Sequence, residues 1–319
     1  MRRPSRPEAL LLLLAALALL SGVVLVVPPR GPRGPGPPPS APPTATPAPQ
    51  VVALPRGYGV AIGFGYGTAA DLDQLGPAWY YDYGAGGADW PRHPRVLMVR
   101  PAEGADDETL RERVLAHPGH WWMLGNEPND PHQDNLDIYA YTRYFAHTAA
   151  RIRALDPTAG IMPAGLANAD TRWAAALRAE YMRQTGQPLQ VDAWNIHDYL
   201  LDTPDPYDVA EFARRILQFR QWMRDAGEGQ KPLVLSEFGV LYGAGCCNRP
   251  LDEGGQGLAF MRQALAWLET SGQVDAWAWF TLDSGGLEYN GNLLQPVRPA
   301  VLSDFGALYA EHARAFARP

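Results

Sequence analysis

From residue 57 onward, short apolar runs alternate with segments that have a helical pattern. The runs are mostly uninterrupted by polar residues, which is typical of strands buried on both faces of a parallel sheet. They predict eight strands: Val60–Phe64, Trp79–Tyr83, Val96–Val99, Trp121–Leu124, Gly160–Pro163, Ala193–Ile196, Leu233–Ser236 and Ala276–Phe280.

Apolar stripes at helical spacing separate several of these strands. They span Ile138–Leu155 after strand four, Val209–Met223 after strand six and Leu258–Leu268 after strand seven. Asp156-Pro157 predicts the end of the first of these helices, and Ser303 predicts the N-cap of a final helix through residue 316. The connections after strands one and two are short, so we expect reduced helices there.

Eight β/α repeats in about 265 residues fit an α/β protein with a closed (β/α)8 TIM barrel, whose active sites lie at the C-terminal ends of the strands. The alternative is an open doubly wound sheet with a phosphate-binding glycine turn. The glycine-rich segment 63–67 lacks the G-x-G-x-x-G spacing, and no acidic residue is well placed for a ribose. We therefore predict a barrel and interpret these glycines as a tight turn after strand one.

The composition suits one large domain or two small ones, with 319 residues, 46% hydrophobic and 19% charged. The net charge is -7, and no dense Lys/Arg cluster occurs beyond the extreme N-terminus, which argues against a nucleic-acid partner. We expect a monomer.

The N-terminus reads as a targeting element. Residues 1–6 are basic, and Ala9 to Val27 form an apolar run at the boundary between a signal peptide and a spanning helix. No clear Ala-x-Ala cleavage site follows, so we favour an uncleaved signal anchor over a cleaved signal. Residues 28–50 are expected to form a disordered Pro/Gly-rich linker, and 51–319 are expected to form the (β/α)8 domain. Both a signal anchor and a cleaved signal peptide would place that domain outside the cytoplasm, membrane-anchored in the first case and secreted in the second.

The cysteines are adjacent, Cys246-Cys247. Export permits a disulfide, so they are either a vicinal disulfide or two ordinary thiols. The pair falls in the irregular stretch Tyr242–Gly255, which we predict to form a wall of a cleft at the C-terminal ends of the strands.

Two apolar runs end in a glutamate, Glu127 after strand four and Glu237 after strand seven. These strands lie across the mouth of a barrel from one another, so the two carboxyl groups can converge over its centre. A carboxyl group walled by apolar residues has a tunable pKa. Most enzymes that cleave a glycosidic bond use two facing carboxyl groups of this kind.

Four segments together resemble the clan-A glycoside hydrolases, which are retaining enzymes on a (β/α)8 barrel. Asn126-Glu127-Pro128 and Ser236-Glu237-Phe238-Gly239 resemble the two glutamate signatures. The segment 194–199 is similar to the clan's His-x-Tyr element on strand six, and 277–281 is similar to a strand-eight segment whose tryptophan floors the sugar site. The match spans about residues 57–290.

Within the clan, the segment 79–84, Trp-Tyr-Tyr-Asp-Tyr-Gly, looks most like the compact endo-β-1,3-glucanases. Cellulase-type and β-xylosidase-type members resemble the chain nearly as well. The implied activity is retaining hydrolysis of a β-linked oligosaccharide or polysaccharide, and the narrower resemblance suggests β-1,3-glucan. A non-catalytic carbohydrate-binding barrel and a cell-wall transglycosylase are the alternatives.

The resemblance implies that Glu127 is the general acid/base and Glu237 the nucleophile, with carboxyl groups about 5 Å apart. Because only one of Trp277 and Trp279 is expected to face inward, we assign Trp279 to the floor of the sugar site. Arg100 is expected to bind a sugar hydroxyl or to neutralise a carboxylate. The expected substrate-binding residues are Asn126, His197, Tyr199, Trp279, Trp79, Tyr81 and Arg100.

His117 and His120 have an i, i+3 spacing, but Pro118-Gly119 between them breaks a helical metal-binding face. We interpret this segment as a helix stop. The expected chemistry requires no metal and no organic cofactor.

Overall fold

The computed structural model describes residues 50–63, 67–86, 89–103, 107–241, 255–284, 291–295, 297 and 299–317. Within these residues, no helix has both the length and the apolarity to span a membrane. The N-terminal segment, nearly all of the linker, Cys246-Cys247 and residues 242–254 of the predicted cleft wall lie outside the described residues.

Strands and helices alternate along the described chain. The strands are β1 Gly57–Ala61, β2 Trp79–Tyr81, β3 Val96–Val99, β4 Trp121–Asn126, β5 Gly160–Gly165, β6 Trp194–Asp198, β7 Leu233–Phe238 and β8 Ala276–Phe280. The helices are α1 Ala69–Leu75, α2 Asp107–Ala116, α3 Ile138–Leu155, α4 Thr171–Thr185, α5 Val209–Asp225, α6 Gln256–Ser271 and α7 Asp304–Phe316.

The parallel strands follow one another around a ring in chain order. One sheet has the order β2-β1-β8-β7-β6 and the other β3-β4-β5. Single parallel bridges join them, Tyr80 with Arg95 between β2 and β3, and Leu166 with Ile196 between β5 and β6. This is the strand order of a (β/α)8 barrel, so the C-terminal ends of all eight strands meet at one rim.

Two hydrophobic layers account for the apolar runs. Alternate strand residues such as Ala61, Met98 and Met123 fill the barrel interior. The residues between them, such as Val60, Leu97 and Trp122, pack against the surrounding helices. Both faces of each strand are therefore buried, as the uninterrupted apolar pattern predicts.

The strand predictions are right in order and displaced at several ends. Strand one begins earlier than predicted, at Gly57, because Gly57 and Gly59 weaken the apolar signal there. Gly59 is required at its position, since a Cβ would lie 2.2 Å from the indole of Trp79. Strand two ends at Tyr81, because Tyr83 has left the extended region with φ 60°.

The helix signals agree with the structure. Ser303 accepts a hydrogen bond from the Gly306 amide and caps α7, and α3 ends at Leu155 with Asp156 as its C-cap. α2 ends at Ala116, directly before His117, so the interpretation of that segment as a helix stop is confirmed. α1 has only seven residues, as the short connection predicts.

Candidate active site

Glu127 and Glu237 face each other at the C-terminal rim of the barrel. Glu127 follows β4, and Glu237 is the fifth residue of β7. Each is at least nine-tenths buried, and a carboxylate oxygen of one lies within 4.8 Å of a carboxylate oxygen of the other. The convergence of strands four and seven that the sequence predicts is therefore present.

Backbone irregularity in β4 turns Glu127 towards this centre. Gly125 has φ 99°, and Glu127 itself has φ 42°, a region that L residues seldom adopt. Asp134 fixes the turn, because its carboxylate accepts the Asn126 amide at 2.6 Å. A Cβ on Gly125 would come within 2.9 Å of that carboxylate. Glycine is thus needed both for its φ and for the space.

A bulge in β7 brings two consecutive side chains to the site. Ile196 pairs with Leu235, but His197 pairs with Glu237, so Ser236 is the extra residue. Strict alternation would send Glu237 to the helix layer, and the bulge instead lets both Ser236 and Glu237 contact groups from β6. The sequence carries no signal for this register shift.

His197 lies between the two carboxylates. Its Nδ1 is 2.8 Å from Glu127 Oε1 and 3.5 Å from Glu237 Oε2, and its Nε2 is 2.9 Å from Ser236 Oγ. The imidazole fits only because residue 165 is glycine, since a Cβ there would lie 2.0 Å from Nε2. His197, predicted as a site residue, therefore contacts both glutamates.

Three tyrosine hydroxyls donate to Glu237. Tyr199 donates to Oε2 at 2.5 Å, Tyr81 donates to Oε1 at 2.7 Å, and Tyr83 also donates to Oε1. Burial, followed by the negative charge of Glu237, raises the pKa of all three hydroxyls well above its ordinary value, so they remain donors. These three hydrogen bonds hold the Glu237 carboxylate in a single orientation. The role of Tyr83 was not predicted from sequence.

The environment of Glu127 favours its protonated form. Burial raises the pKa of Glu127 above its ordinary value, although the hydrogen bond and charge of His197 oppose the rise; the negative charge of Glu237 adds to it. Burial lowers the pKa of His197, but the charges of Glu237 and Glu127 outweigh burial and leave it raised. Glu127 therefore holds a proton to a higher pH than an ordinary glutamate does.

Asn126 and Arg100 support the same rim. Arg100 Nε donates to Asp134 Oδ1 at 2.8 Å, so of its two predicted roles it performs the neutralisation of a carboxylate. The side-chain Nδ2 of Asn126 donates to Gln133 Oε1 at 3.1 Å. Its Oδ1 is buried, and no described residue donates to it, which leaves an acceptor beside Glu127.

Two predicted substrate contacts are wrong. Trp279 is fully buried in the layer against the helices, where its ring lies 5.1 Å from that of Phe238 and its Nε1 donates to Gly291 O at 2.7 Å. Trp79 is buried inside the barrel and donates to Gly57 O at 3.1 Å. Neither is placed to stack on a sugar. Tyr81 lies in the site, but it contacts Glu237 rather than a flanking subsite.

Phe280 is the aromatic residue of β8 that lies beside the site. It packs against the barrel interior, is partly exposed, and its ring centroid lies 6.0 Å from that of Tyr199 in an edge-to-face arrangement. The alternation of the strand places Phe280 on the opposite face from Trp279.

We expect that Tyr83→Phe and Tyr81→Phe each lower kcat/KM about 10- to 100-fold, because each removes a charge-assisted hydrogen bond that orients Glu237. Initial rates on a soluble substrate measure the loss. Tyr80→Phe is the matched control, since Tyr80 lies on β2 beside Tyr81 but its hydroxyl accepts from the amide of Trp90 at 3.3 Å. Equal losses in Tyr80→Phe and Tyr83→Phe would contradict an effect through Glu237.

The buried carboxyl group of Asp198 should make the stability of the fold depend on pH. Burial raises its pKa to about 7, although Arg215 at 3.3 Å opposes the rise. Below about pH 4 this carboxyl is protonated in both the folded and unfolded chain. Between about pH 4 and pH 7 the unfolded chain ionises first, so its contribution to the free energy of unfolding falls as pH rises.

We therefore expect Asp198→Asn to raise the free energy of unfolding at pH 8 by on the order of 2 kcal/mol and to have a smaller effect at pH 5. Urea denaturation at both pH values measures the difference. Asp202→Asn is the control, because Asp202 pairs with the same Arg215 at 2.8 Å but is more than half exposed. Identical effects of the two variants at both pH values would rule out the buried carboxyl as the cause.

Two facing, buried carboxyl groups at the C-terminal rim of a barrel are the arrangement that glycoside-cleaving enzymes use. A family model described as "Glycosyl hydrolase catalytic core" matches residues 63–309. The chain belongs to this family and is a glycosidase. The comparison with curated proteins finds no match.

Solved structures of GH128 enzymes have a similar fold. A subgroup I endo-β-1,3-glucanase from Amycolatopsis mediterranei, in complex with laminaritriose, is 18% identical with a TM-score of 0.62 over 81% of this chain and 99% of that chain. A subgroup II endo-β-1,3-glucanase from Pseudomonas viridiflava is 22% identical, with a TM-score of 0.59 over 79% and 96%. A curdlan-specific exo-β-1,3-glucanase from Blastomyces gilchristii is 17% identical, with a TM-score of 0.59 over 80% and 97%. At these identities the similarity shows the shared fold alone.

Proposed function

We propose that this glycosidase hydrolyses a β-1,3-linked glucan by double displacement with retention at the anomeric carbon. The observation that carries the mechanism is the approach of Glu127 and Glu237 oxygens to within 4.8 Å. Retaining enzymes hold their carboxyl groups about 5 to 5.5 Å apart, whereas inverting enzymes need about 6.5 to 9.5 Å to admit a water molecule.

In the first step Glu127 donates its proton to the oxygen of the departing sugar, and Glu237 attacks the anomeric carbon. Burial of Glu127 favours the protonated form that this step requires. The hydroxyls of Tyr81, Tyr83 and Tyr199 fix the attacking carboxylate. The free Oδ1 of Asn126 is suited to accept a hydrogen bond from a sugar hydroxyl as the transition state forms.

In the second step Glu237 is neutral, because it is esterified, and Glu127 is ionised, because it has given up its proton. Once Glu237 is esterified, its negative charge no longer raises the pKa of Glu127, while His197 at 2.8 Å still lowers it. Glu127 can then act as the base that removes a proton from the attacking water. The released sugar keeps its β configuration because the anomeric centre is inverted twice.

The choice of β-1,3-glucan is supported by the barrel and by the segment 79–84. GH128 proteins of the same fold have been solved with laminaritriose, laminarihexaose and glucose. In this chain, Tyr81 and Tyr83 of that segment meet the proposed nucleophile directly. Phe280, partly exposed beside Tyr199, is a candidate platform for the apolar face of a glucose ring.

The test is release of reducing sugar from a panel of β-1,3-glucan, β-1,3-1,4-glucan, cellulose, xylan, mannan and galactan, with Glu237→Gln alongside. We expect release from β-1,3-glucan that vanishes in the variant. Proton NMR of the first product should show the β anomer before mutarotation. An initial α anomer would contradict double displacement, and release from xylan or mannan alone would contradict the substrate.

Products longer than the starting oligosaccharide would favour a wall-remodelling transglycosylase, since acceptor sugar then outcompetes water at the same intermediate.

The apolar run Ala9 to Val27 supports membrane anchorage outside the cytoplasm. Recovery of the full chain in the membrane fraction, accessible to protease added outside intact cells, tests that location. Recovery in the cytosol would contradict it.

A further inference from the structure

One carboxylate and two imidazoles converge at the opposite end of the barrel. The carboxylate Oδ2 of Asp89 lies 2.9 Å from Nδ1 of His117 and 3.0 Å from Nε2 of His120. One ligand-type atom from each of the three residues lies within 4.8 Å of the other two. The Pro118-Gly119 turn after α2 brings the two histidines together although they share no helical face.

This cluster is separate from the catalytic centre. His120 directly precedes Trp121, the first residue of β4, whereas Glu127 follows the last residue of the same strand. Six strand residues span about 20 Å. Asp89 belongs to the connection between β2 and β3, so the cluster links that connection to the start of β4.

Outer contacts hold the imidazoles in place. Nδ1 of His120 lies 3.3 Å from the carbonyl oxygen of Pro118, so a proton on Nδ1 leaves the Nε2 lone pair directed to the cluster. The carboxylate of Asp156 accepts the Gly119 amide at 2.6 Å and fixes the turn between the histidines. Outer hydrogen bonds of this kind orient imidazole ligands in metal sites.

The charges around the cluster leave room for a cation. Arg95 lies 3.5 Å from Oδ1 of Asp89, but its guanidinium is already engaged by Asp82 through three contacts of 2.8 to 3.1 Å. The carboxylates of Asp89 and Asp82 and the guanidinium of Arg95 together have a formal net charge of -1. The histidines contact Oδ2 of Asp89, whereas Arg95 lies nearest to Oδ1.

We propose that Asp89, His117 and His120 bind a divalent transition metal ion, with Zn²⁺ as the best match. Imidazole nitrogen and carboxylate oxygen are the ligands that Zn²⁺ takes at about 2.0 to 2.2 Å, which places donors about 3.3 Å apart in a tetrahedron. The present separations of 2.9 and 3.0 Å need to open by only a few tenths of an ångström. Water completes the coordination, and the bound ion cross-links the β2–β3 connection to β4.

The experiment is calorimetric titration of the EDTA-treated and dialysed full chain with ZnCl₂, together with melting curves. We expect one Zn²⁺ per chain and a melting temperature that rises with its concentration, because the ion binds the folded chain preferentially. His120→Gln and Asp89→Asn should each weaken binding roughly 100-fold. His147→Gln is the matched control, since this histidine faces a single carboxylate, Asp107, at 3.9 Å.

A second set of ligand-type groups must be distinguished in the same titration. Among the described residues, Glu127, His197 and Glu237 also lie within 4.8 Å of one another. Binding that persists in Glu237→Gln and is lost in His120→Gln supports the proposed site. Binding that is lost in Glu237→Gln and kept in both His120→Gln and Asp89→Asn would overturn it, as would no binding by the unaltered chain. Co²⁺ absorption bands provide a check that needs neither stability nor activity. The result is independent of which sugar the enzyme cleaves.

Discussion

Replacement of Glu237 by glutamine should lower kcat/KM on β-1,3-glucan by about 10⁴-fold or more, because an amide cannot form the glycosyl ester. The side chain keeps its shape: an amide oxygen in place of Oε1 still accepts from Tyr81, and the amide nitrogen in place of Oε2 can donate to the hydroxyl of Tyr199. We therefore expect the variant to fold, to melt near the temperature of the unaltered chain, and to bind oligosaccharide with little change in Kd. Initial rates and calorimetric binding measure the two quantities separately.

Glu228→Gln is the matched control for this prediction. Glu228 is also a buried glutamate, but it follows α5, pairs with Lys231 and accepts from the indole of Trp194 at 3.3 Å, at the start of β6 and away from the rim. Its replacement should reduce stability and leave kcat within about twofold, as expected for a group outside the reacting centre. A residual rate in Glu237→Gln above about 1% of the original would show that another group acts as nucleophile.

The sequence was sufficient to predict the barrel and the glutamate pair. Uninterrupted apolar runs report burial on both faces, and the order of eight repeats leaves few arrangements for them. Glu127 and Glu237 were found because each ends such a run, and the position of a strand end is a local property of the sequence. The convergence of the two residues then follows from the barrel itself.

The errors arose where the direction of a side chain had to be known. Trp277 and Trp279 are two residues apart, so both face the helices, and the expectation that one of them faces inward was wrong. The same rule, correctly applied, selects Phe280. The aromatic residues Trp79 and Tyr81 share one face, yet Trp79 lies deep in the barrel and only Tyr81 reaches the rim.

Other features depend on contacts between distant segments and leave no local signal. The bulge at Ser236 appears only in the pairing of β6 with β7. Tyr83 reaches Glu237 because its backbone turns to φ 60° at the end of β2. Asp89 meets His117 and His120 across 28 or more residues of chain. Each of these becomes visible only when the ring of strands is closed.

Replacement of Glu127 by alanine should separate the two steps of the reaction. With a β-glucan, whose leaving group is a poor one, we expect kcat/KM to fall about 10²- to 10⁴-fold, since proton donation is lost. With an aryl β-glucoside of an acidic phenol the first step needs no proton, so the loss in kcat/KM should be much smaller. The glycosyl ester on Glu237 then accumulates because no base activates water, and a burst of phenol precedes a slow steady state.

Rescue by azide tests the assignment of Glu127 as the acid/base. Alanine at position 127 leaves space beside His197, and a small anion there can attack the glycosyl ester without a general base. Added azide should restore the steady-state rate with the aryl glucoside and yield the β-glucosyl azide. Asp130→Ala is the control, because Asp130 raises the pKa of Glu127 by its charge but makes no contact with Glu237 among the described hydrogen bonds. An α-glucosyl azide, or equal losses with both substrates, would show that Glu127 is not the acid/base of a retaining pair.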